Sequence, residues 1–295
     1  MFYYNPNPDL AALSIQTITF LVPFGGLLRS LHYWAAQLLI VTATVHLLRV
    51  IFTGAYARKR RFNYLLGILL LVVCLIFDFS GYVLRWDEGI RWALVVGTNL
   101  IRSIPLIGPT LYIMLMGGVQ PGPASLLRFY AWHIFGLTIV LLIIGAWHLF
   151  RVRRDGGIAV PPPELRPDPA RINRFELVRR EVLAMLISGV VLVVLSLIKP
   201  APISAPIQEG LTAVDGRAPW FFLWVQQLLR WGDPFLWGVL VPLGVLAWLA
   251  VLPYLLPESK LEEAGRWFPH GNQAAQVSVT ILGTAILVLT LLGLR

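Results

Sequence analysis

Four histidines form the pattern with most chemical content. His32 and His46 lie on one long apolar segment, and His133 and His148 on another. The first two are 14 residues apart, the second two 15. In an α-helix 14 residues rise about 21 Å, most of a bilayer's hydrocarbon thickness. At roughly 100° per residue, a step of 14 falls about 40° short of whole turns and a step of 15 overshoots by about 60°. Each segment therefore points one imidazole toward each end of a membrane from nearly the same face. Two such helices side by side offer two histidine pairs stacked across the bilayer, which suits two bis-histidine haems and a transmembrane electron path. A single histidine in an apolar helix is more often a hydrogen-bonded interior residue. Intramembrane ionisable groups are rare and functional by default, however, and four of the five histidines fall in the matched set.

The elements that must position these residues follow from composition. Hydrophobic residues fill 57% of 295 positions and charged residues 13%, with mean hydropathy +0.73. Soluble domains carry about 25% charged residues, so the fold class is an all-α integral membrane protein, a multi-pass helical bundle. The segments lack strand alternation, which leaves helices as the spanning form. Six are long enough, near 31–53, 63–84, 126–150, 181–198, 234–256 and 274–294. The mixed, glycine-broken stretch 8–28 reads as interfacial. Net charge is +9 and pI about 10.1. The basic residues sit in short blocks between apolar runs, so they point to membrane lipid and the positive-inside rule rather than to nucleic acid. The single cysteine, Cys74, excludes an internal disulfide, a zinc knuckle and a CxxCH haem attachment.

Charge sets the topology. Arg58, Lys59, Arg60 and Arg61 follow the first span; Arg151, Arg153, Arg154, Arg166 and Arg171 follow the third. Parity places both blocks on one side, the cytoplasmic one. His32 and His133 are then expected to meet near the outer face, and His46 with His148 near the inner face. Parity also starts the N-terminus outside, which predicts a span missing ahead of Met1. The proline-rich stretch 155–178 reads as a linker between a haem-bearing half (1–154) and a three-span half (179–295). Regions 85–125 and 199–233 are both expected over the outer face, and loops of that length are usually functional.

Several stretches resemble the cytochrome b family of quinol:cytochrome c oxidoreductases and its photosynthetic bf counterparts: LLRSLHYW, HLLRVIFTGAY, SGYVLRWDEGIRWALVVGTNLIRSIPLIG, LLRFYAWH and HLFRVRRDGG. The second half, with RFELVRREVL, IKPAPISAP and APWFFLWVQQLLR, resembles that family's subunit IV, here fused to the first half. The family's first helix, which would precede Phe2, is missing from the four-helix-type haem core, as is the region where bf proteins carry a cysteine for an extra haem.

The resemblance implies two haem b groups, an outer one between His32 and His133 and an inner one between His46 and His148. It implies quinol oxidation near the outer face, with one electron passing to a Rieske iron–sulfur protein and on to a cytochrome c-type subunit. The other electron crosses both haems, and the reaction translocates protons. It further implies a homodimer within a complex, in a bacterial-type plasma membrane or another energy-transducing membrane. Arg29, Arg49, Arg128 and Arg153 lie within about one to one and a half turns of the histidines and are candidates for the haem propionates, since arginine binds carboxylates bidentately; snorkelling at helix ends is the alternative. Gly81, and less clearly Gly67 and Gly136, could leave room for a flat macrocycle. Tyr82, Pro105, Trp220 and Phe221 are candidates for the quinol pocket; without the resemblance they read as interfacial aromatics.

The family's Pro-Glu-Trp-Tyr quinol motif reads Ala218, Pro219, Trp220, Phe221 here, so its proton-taking glutamate is gone, and Gln226 and Gln227 follow where some relatives keep one. Arg85 replaces a usual proline. Quinol oxidation needs a base within hydrogen-bond reach. Asp78, one turn before Tyr82, is the expected substitute, unless it pairs with an arginine such as Arg85 or Arg91. Two further functions stay open: a non-bifurcating haem wire linking the quinone pool to another reductase, and a haem-free transporter or scaffold.

Overall fold

The computed structural model describes residues 2–157, 159–161, 164, 173–206 and 217–294. Arg166, Arg171 and most of the expected linker lie outside the described residues, as does the side chain of Arg91. Ten helices order the described chain. Those short of a span are α1 (Pro8–Phe20), α4 (Glu88–Arg102), α5 (Gly108–Met116) and α8 (Leu223–Leu229). Six are long and apolar enough to cross a membrane: α2 (Gly25–Phe52), α3 (Arg61–Val83, after a 3-10 turn), α6 (Pro123–Arg154), α7 (Arg174–Ile198), α9 (Leu236–Leu255) and α10 (Gln273–Gly293).

Two helices begin earlier than their apolar runs, because polar residues extend them. α7 starts at Arg174 rather than near 181: Asn173 caps Phe175 N at 3.1 Å, and Glu176 pairs with Arg179 and Arg180 at 3.3 and 2.9 Å. α2 starts at Gly25, directly after α1, which is shorter than the roughly 20 residues a span needs. α3 packs against both α2 and α6. The two basic blocks share one end of the bundle, where Arg60 Nε donates to Gly157 O at 3.3 Å and the Arg151 guanidinium lies 4.8 Å from the Phe62 ring centre.

At the opposite end, expected from charge parity to be the outer one, region 85–125 folds into α4 and α5, capped by Asp87 and closed over a core of Val83, Trp86, Leu94, Tyr112, Met116 and Leu126. The segment after α7 is sewn onto this end. Ser30 Oγ accepts from Ala201 N (3.1 Å), Trp34 Nε1 donates to Lys199 O (2.8 Å), and Asp87 Oδ2 accepts from Ser204 N (3.1 Å).

The basic end has its own weld between the halves. Tyr56 is 1% exposed and donates to Asn272 Oδ1, Tyr64 donates to Leu249 O at 2.8 Å, and Arg61 pairs with Glu258. Burial, helped by the Glu258 carboxylate and opposed by Arg61, pushes the Tyr56 phenol up to about 12. Tyr56→Phe strands Asn272 Oδ1 and should lower stability in a detergent unfolding assay by about 1–3 kcal/mol. A phenol raised above its ordinary value near 10 stabilises the fold fully below that value. That contribution fades as pH rises toward about 12, so the stability gap between wild type and Tyr56→Phe should narrow across this window.

Candidate functional site

α3 carries the same local arrangement twice, 14 residues apart. At the outer level Phe77 O lies 3.2 Å from His133 Nδ1, and a Cβ placed on Gly81 would stand 2.8 Å from His133 Cε1. At the inner level Asn63 O lies 3.1 Å from His148 Nδ1, and a Cβ on Gly67 would stand 3.4 Å from His148 Cε1. Each unit is a carbonyl followed four residues later by glycine. At Asn63 the helix uses one lone pair of the carbonyl and the imidazole N–H the other; at Phe77 the Ser80 hydroxyl shares the carbonyl, donating to it at 2.6 Å. The glycine removes the side chain that would hold the ring away. Gly81 thus makes room for the His133 ring itself. Gly136 does not face this space: its Cβ would fall 2.6 Å from Trp132 Cε3.

α6 must place its histidines in the 14-residue register of α3, yet they are 15 apart. A π turn over Trp132–Gly136 absorbs the additional residue at His133. Thr138 Oγ1 then donates to His133 O at 3.0 Å, covering a carbonyl whose usual partner the wider turn displaces.

With Nδ1 held by α3, through a backbone carbonyl at both rings and also the Ser80 hydroxyl at His133 (2.9 Å), His133 and His148 keep Nε2 for another partner. The histidines of α2 come from across that space. The His32 and His133 rings are 6.1 Å apart at 88°, and His46 lies close enough to His148 to interact electrostatically. His32 and His46 are exposed and hydrogen-bond to nothing among the described residues. The structure thus brings together the four histidines in the expected pairs.

The arginines divide. Arg29 donates to Ala201 O at 3.0 Å and to Pro202 O; Arg128 donates to Met114 O. Arg49 and Arg153 are exposed. Arg151, which the sequence did not single out, is buried and pairs with Asp155 at 2.9 Å. The i,i+4 acid in the sequence was the available signal.

An apolar cavity of about 540 Å³ opens between α3, α4, α6 and the segment leading into α8, walled by Phe79, Ser80, Arg128, Pro219, Phe222 and Gln226 among others. Ser80 connects it to the histidines, its Oγ lying 2.9 Å from His133 Nδ1. Among the described residues no Asp, Glu or His lines this cavity, and neither do Pro105, Tyr82, Trp220 and Phe221. Phe221 is buried against Trp220 and Phe222. Trp220 Nε1 donates to Gln37 Oε1 (2.7 Å), Gln37 Nε2 donates to Asp78 Oδ1 (3.2 Å), and Tyr82 meets Tyr33. Asp78 does not pair with Arg85, which is engaged twice with Asp87 (2.6 and 3.0 Å). Gln37 was absent from the sequence-based candidates, because a lone amide in an apolar helix carries no motif.

Comparison with known proteins points to one family. The model of "Cytochrome b(N-terminal)/b6/petB" matches residues 37–206. Cytochrome b6 of Heliomicrobium gestii is 41% identical over 155 residues, 52% of this chain and 73% of that protein. Cytochrome b6 of Stigeoclonium helveticum is 36% identical over 155 residues, 52% of this chain and 72% of that protein. A solved structure described as "Hyperthermophilic respiratory Complex III" superposes on 100% of this chain and 78% of its own, with TM-score 0.82 and 23% identity, a likeness of fold. The chain belongs to the cytochrome b/b6 family, membrane electron-transfer subunits that bind haem b.

Proposed function

We propose that the chain holds two haem b groups, one between His32 and His133 and one between His46 and His148, as the membrane subunit of a quinol-oxidising bc-type complex. The observation that carries this is the 6.1 Å separation of the His32 and His133 rings. Two imidazoles that each bind one metal ion at about 2 Å have ring centres roughly 6 Å apart. The donor set fits as well: the carbonyls of Phe77 and Asn63 fix the tautomers of His133 and His148, leaving Nε2 as the ligating atom. When bound, bis-histidine haem supplies reversible one-electron transfer with no open coordination site.

The remaining roles belong to the side chains. The cavity binds the quinol ring between Phe79 and the Pro219–Phe222 segment, excluding water, and Ser80 joins it to His133. Arg49, exposed one turn beyond His46, is placed to meet a carboxylate at the inner site. Arg29 and Arg128 already hold carbonyls but keep further N–H donors for a second acceptor; Arg153 stands at the helix end. A Rieske iron–sulfur protein and a cytochrome c-type subunit are the partners, in a homodimeric assembly. The non-bifurcating wire is supported by one observation: no carboxylate lines the cavity, so the chain's described residues offer no base to a quinol there. Quinol:acceptor turnover that stops with a Rieske-site inhibitor supports the first function, and resistant turnover supports the wire.

A reduced-minus-oxidised spectrum should resolve two b-type components of different potential. His32→Leu and His133→Leu should each remove the same component, and His46→Leu and His148→Leu the other; colourless membranes from the wild-type complex contradict the proposal. The glycines should differ. Gly81→Ala drives a methyl to 2.8 Å from the His133 ring, whereas Gly67→Ala leaves 3.4 Å to His148. Gly81→Ala should therefore weaken the outer component by about 1–3 kcal/mol of overpacking, measured as haem occupancy, while Gly67→Ala stays near wild type.

A further inference from the structure

Two polar stripes face each other between α2 and α3 where apolar contact is the rule in a membrane. On α2, Arg29, Tyr33 and Gln37 recur at helical spacing; Asp78 and Tyr82 of α3, with Arg85 in the turn that follows it, do likewise. The helices are antiparallel, so the stripes meet rung by rung. Gln37 Nε2 donates to Asp78 Oδ1 at 3.2 Å, the Tyr33 and Tyr82 rings stand 6.5 Å apart, and Arg29 feels the charges of Arg85 and Asp87 at the outer mouth. The innermost rung has a fixed direction. An indole nitrogen only donates, so Trp220 Nε1 holds the Gln37 oxygen and turns the Gln37 amide nitrogen onto Asp78. Gln37 is 5% exposed, and Asp78 Oδ2 is buried with no hydrogen-bond partner.

This dead end of the ladder adjoins the outer histidine pair. Asp78 follows Phe77, whose carbonyl holds His133, and Gln37 lies on α2 just beyond His32. A unit charge entering a low-dielectric interior favours an opposite charge beside it. We propose that Asp78 is a redox-linked proton site: its free oxygen takes a proton from the outer aqueous face, along the Tyr82–Tyr33 stripe, as an electron arrives at the His32/His133 site. It returns the proton by the same route as the electron leaves. Only the carboxyl O–H bond forms and breaks, and water at the outer face supplies and recovers the proton. Gln37 from α2 and Tyr82 from its own helix face Asp78; Tyr33 of α2 stands behind Tyr82, and Trp220 from the loop behind Gln37. Arg29, Arg85 and Asp87 hold the mouth, and His32 and His133 lie beyond the Phe77 turn. The proposal rests on the haem assignment made above and differs from a base acting on quinol, since Asp78 does not line the cavity.

The test uses membranes holding the whole complex. The midpoint potential of the b-type component lost in His32→Leu should fall with pH by up to about 59 mV per unit, a tenfold change in proton concentration expressed for a one-electron couple. Asp78→Asn should flatten that slope with both b bands intact, and Asp78→Glu should keep it. The reduced-minus-oxidised infrared spectrum of the wild type should carry a protonated-carboxyl band that Asp78→Asn removes and that Trp220→Phe, by freeing Gln37 to turn, shifts. A slope or band unchanged in Asp78→Asn overturns the proposal, and so does a wild type with neither. If Asp78→Asn fails to assemble, an Asp78→Glu protein whose carboxyl band is unshifted overturns it. Loss of both b bands in the wild type overturns the haem assignment instead.

Discussion

An imidazole buried among lipid-facing helices must place its N–H somewhere, and in this chain the backbone of α3 receives it. The carbonyls of Asn63 and Phe77 each accept from an imidazole besides their partners within the helix, because a glycine four residues on leaves the approach open. In an apolar medium an unmet donor is costly, so this contact is a strong constraint on ring position. It sets a 14-residue period on α3 that the neighbouring helices must obey. α2 obeys it directly through His32 and His46. α6 carries one residue too many and resolves the mismatch in a π turn at His133, where the histidine, Thr138 and the Trp132–Gly136 packing are all adjusted together. A local irregularity that looks like a defect of the helix is what keeps two sites in register about 21 Å apart.

The cavity depends on a second constraint, the joining of the two halves. Its walls come from both: Phe79, Ser80 and Arg128 from the first, Pro219, Phe222 and Gln226 from the second. Nothing covalent near the outer end fixes their separation. The work falls to the 199–206 segment, held by Arg29, Ser30, Trp34 and Asp87 through its main-chain groups. Hydrogen bonds to backbone hold position without depending on the side chains of the segment they hold. Arg29, expected as a haem contact, is therefore also a rivet between halves. Arg85, standing where the family usually has proline, supports the same junction by orienting Asp87.

What the sequence made legible follows the range of each interaction. The six spans, the shared end of the two basic blocks and the histidine pairing depend on periodicity and parity along single helices, and these are written in consecutive residues. The partners of side chains were not so written. Tyr82, Trp220 and Phe221 were expected around a quinol because they sit in matched stretches, yet they turn to the α2 side or into the loop's own packing, while Phe79, Ser80 and Phe222, their neighbours by one to three residues, face the cavity. A rotation of about 100° per residue separates these outcomes, and no pattern within one segment fixes it. Arg153 was a candidate for a haem carboxylate and Arg151 was not, yet Arg153 is exposed and it is Arg151 that is buried, in an ion pair with Asp155. The early start of α7 was missed because hydropathy does not see caps and i,i+4 pairs.

One turn of α3 explains why these functions stay separate although they adjoin. Phe77 and Gly81 point toward α6 and seat His133; Ser80 and Phe79 point into the cavity; Asp78 and Tyr82 point toward α2. Direction turns by about 100° per residue, so six consecutive positions serve three environments, with Ser80 bordering both the cavity and His133. The carboxylate missing from the loop at Ala218 and Pro219 is thus not replaced in place. Asp78 restores an acid to the outer third of the bundle, but on the far side of the helix from the cavity, held by Gln37 and Trp220. A proton site there can respond to charge on the histidine pair, which it adjoins, but has no direct contact with a molecule in the cavity. Electrostatics acts through the turn of helix that hydrogen bonding cannot cross, and that difference in reach is what would let one buried acid follow the redox state of a site without touching its substrate.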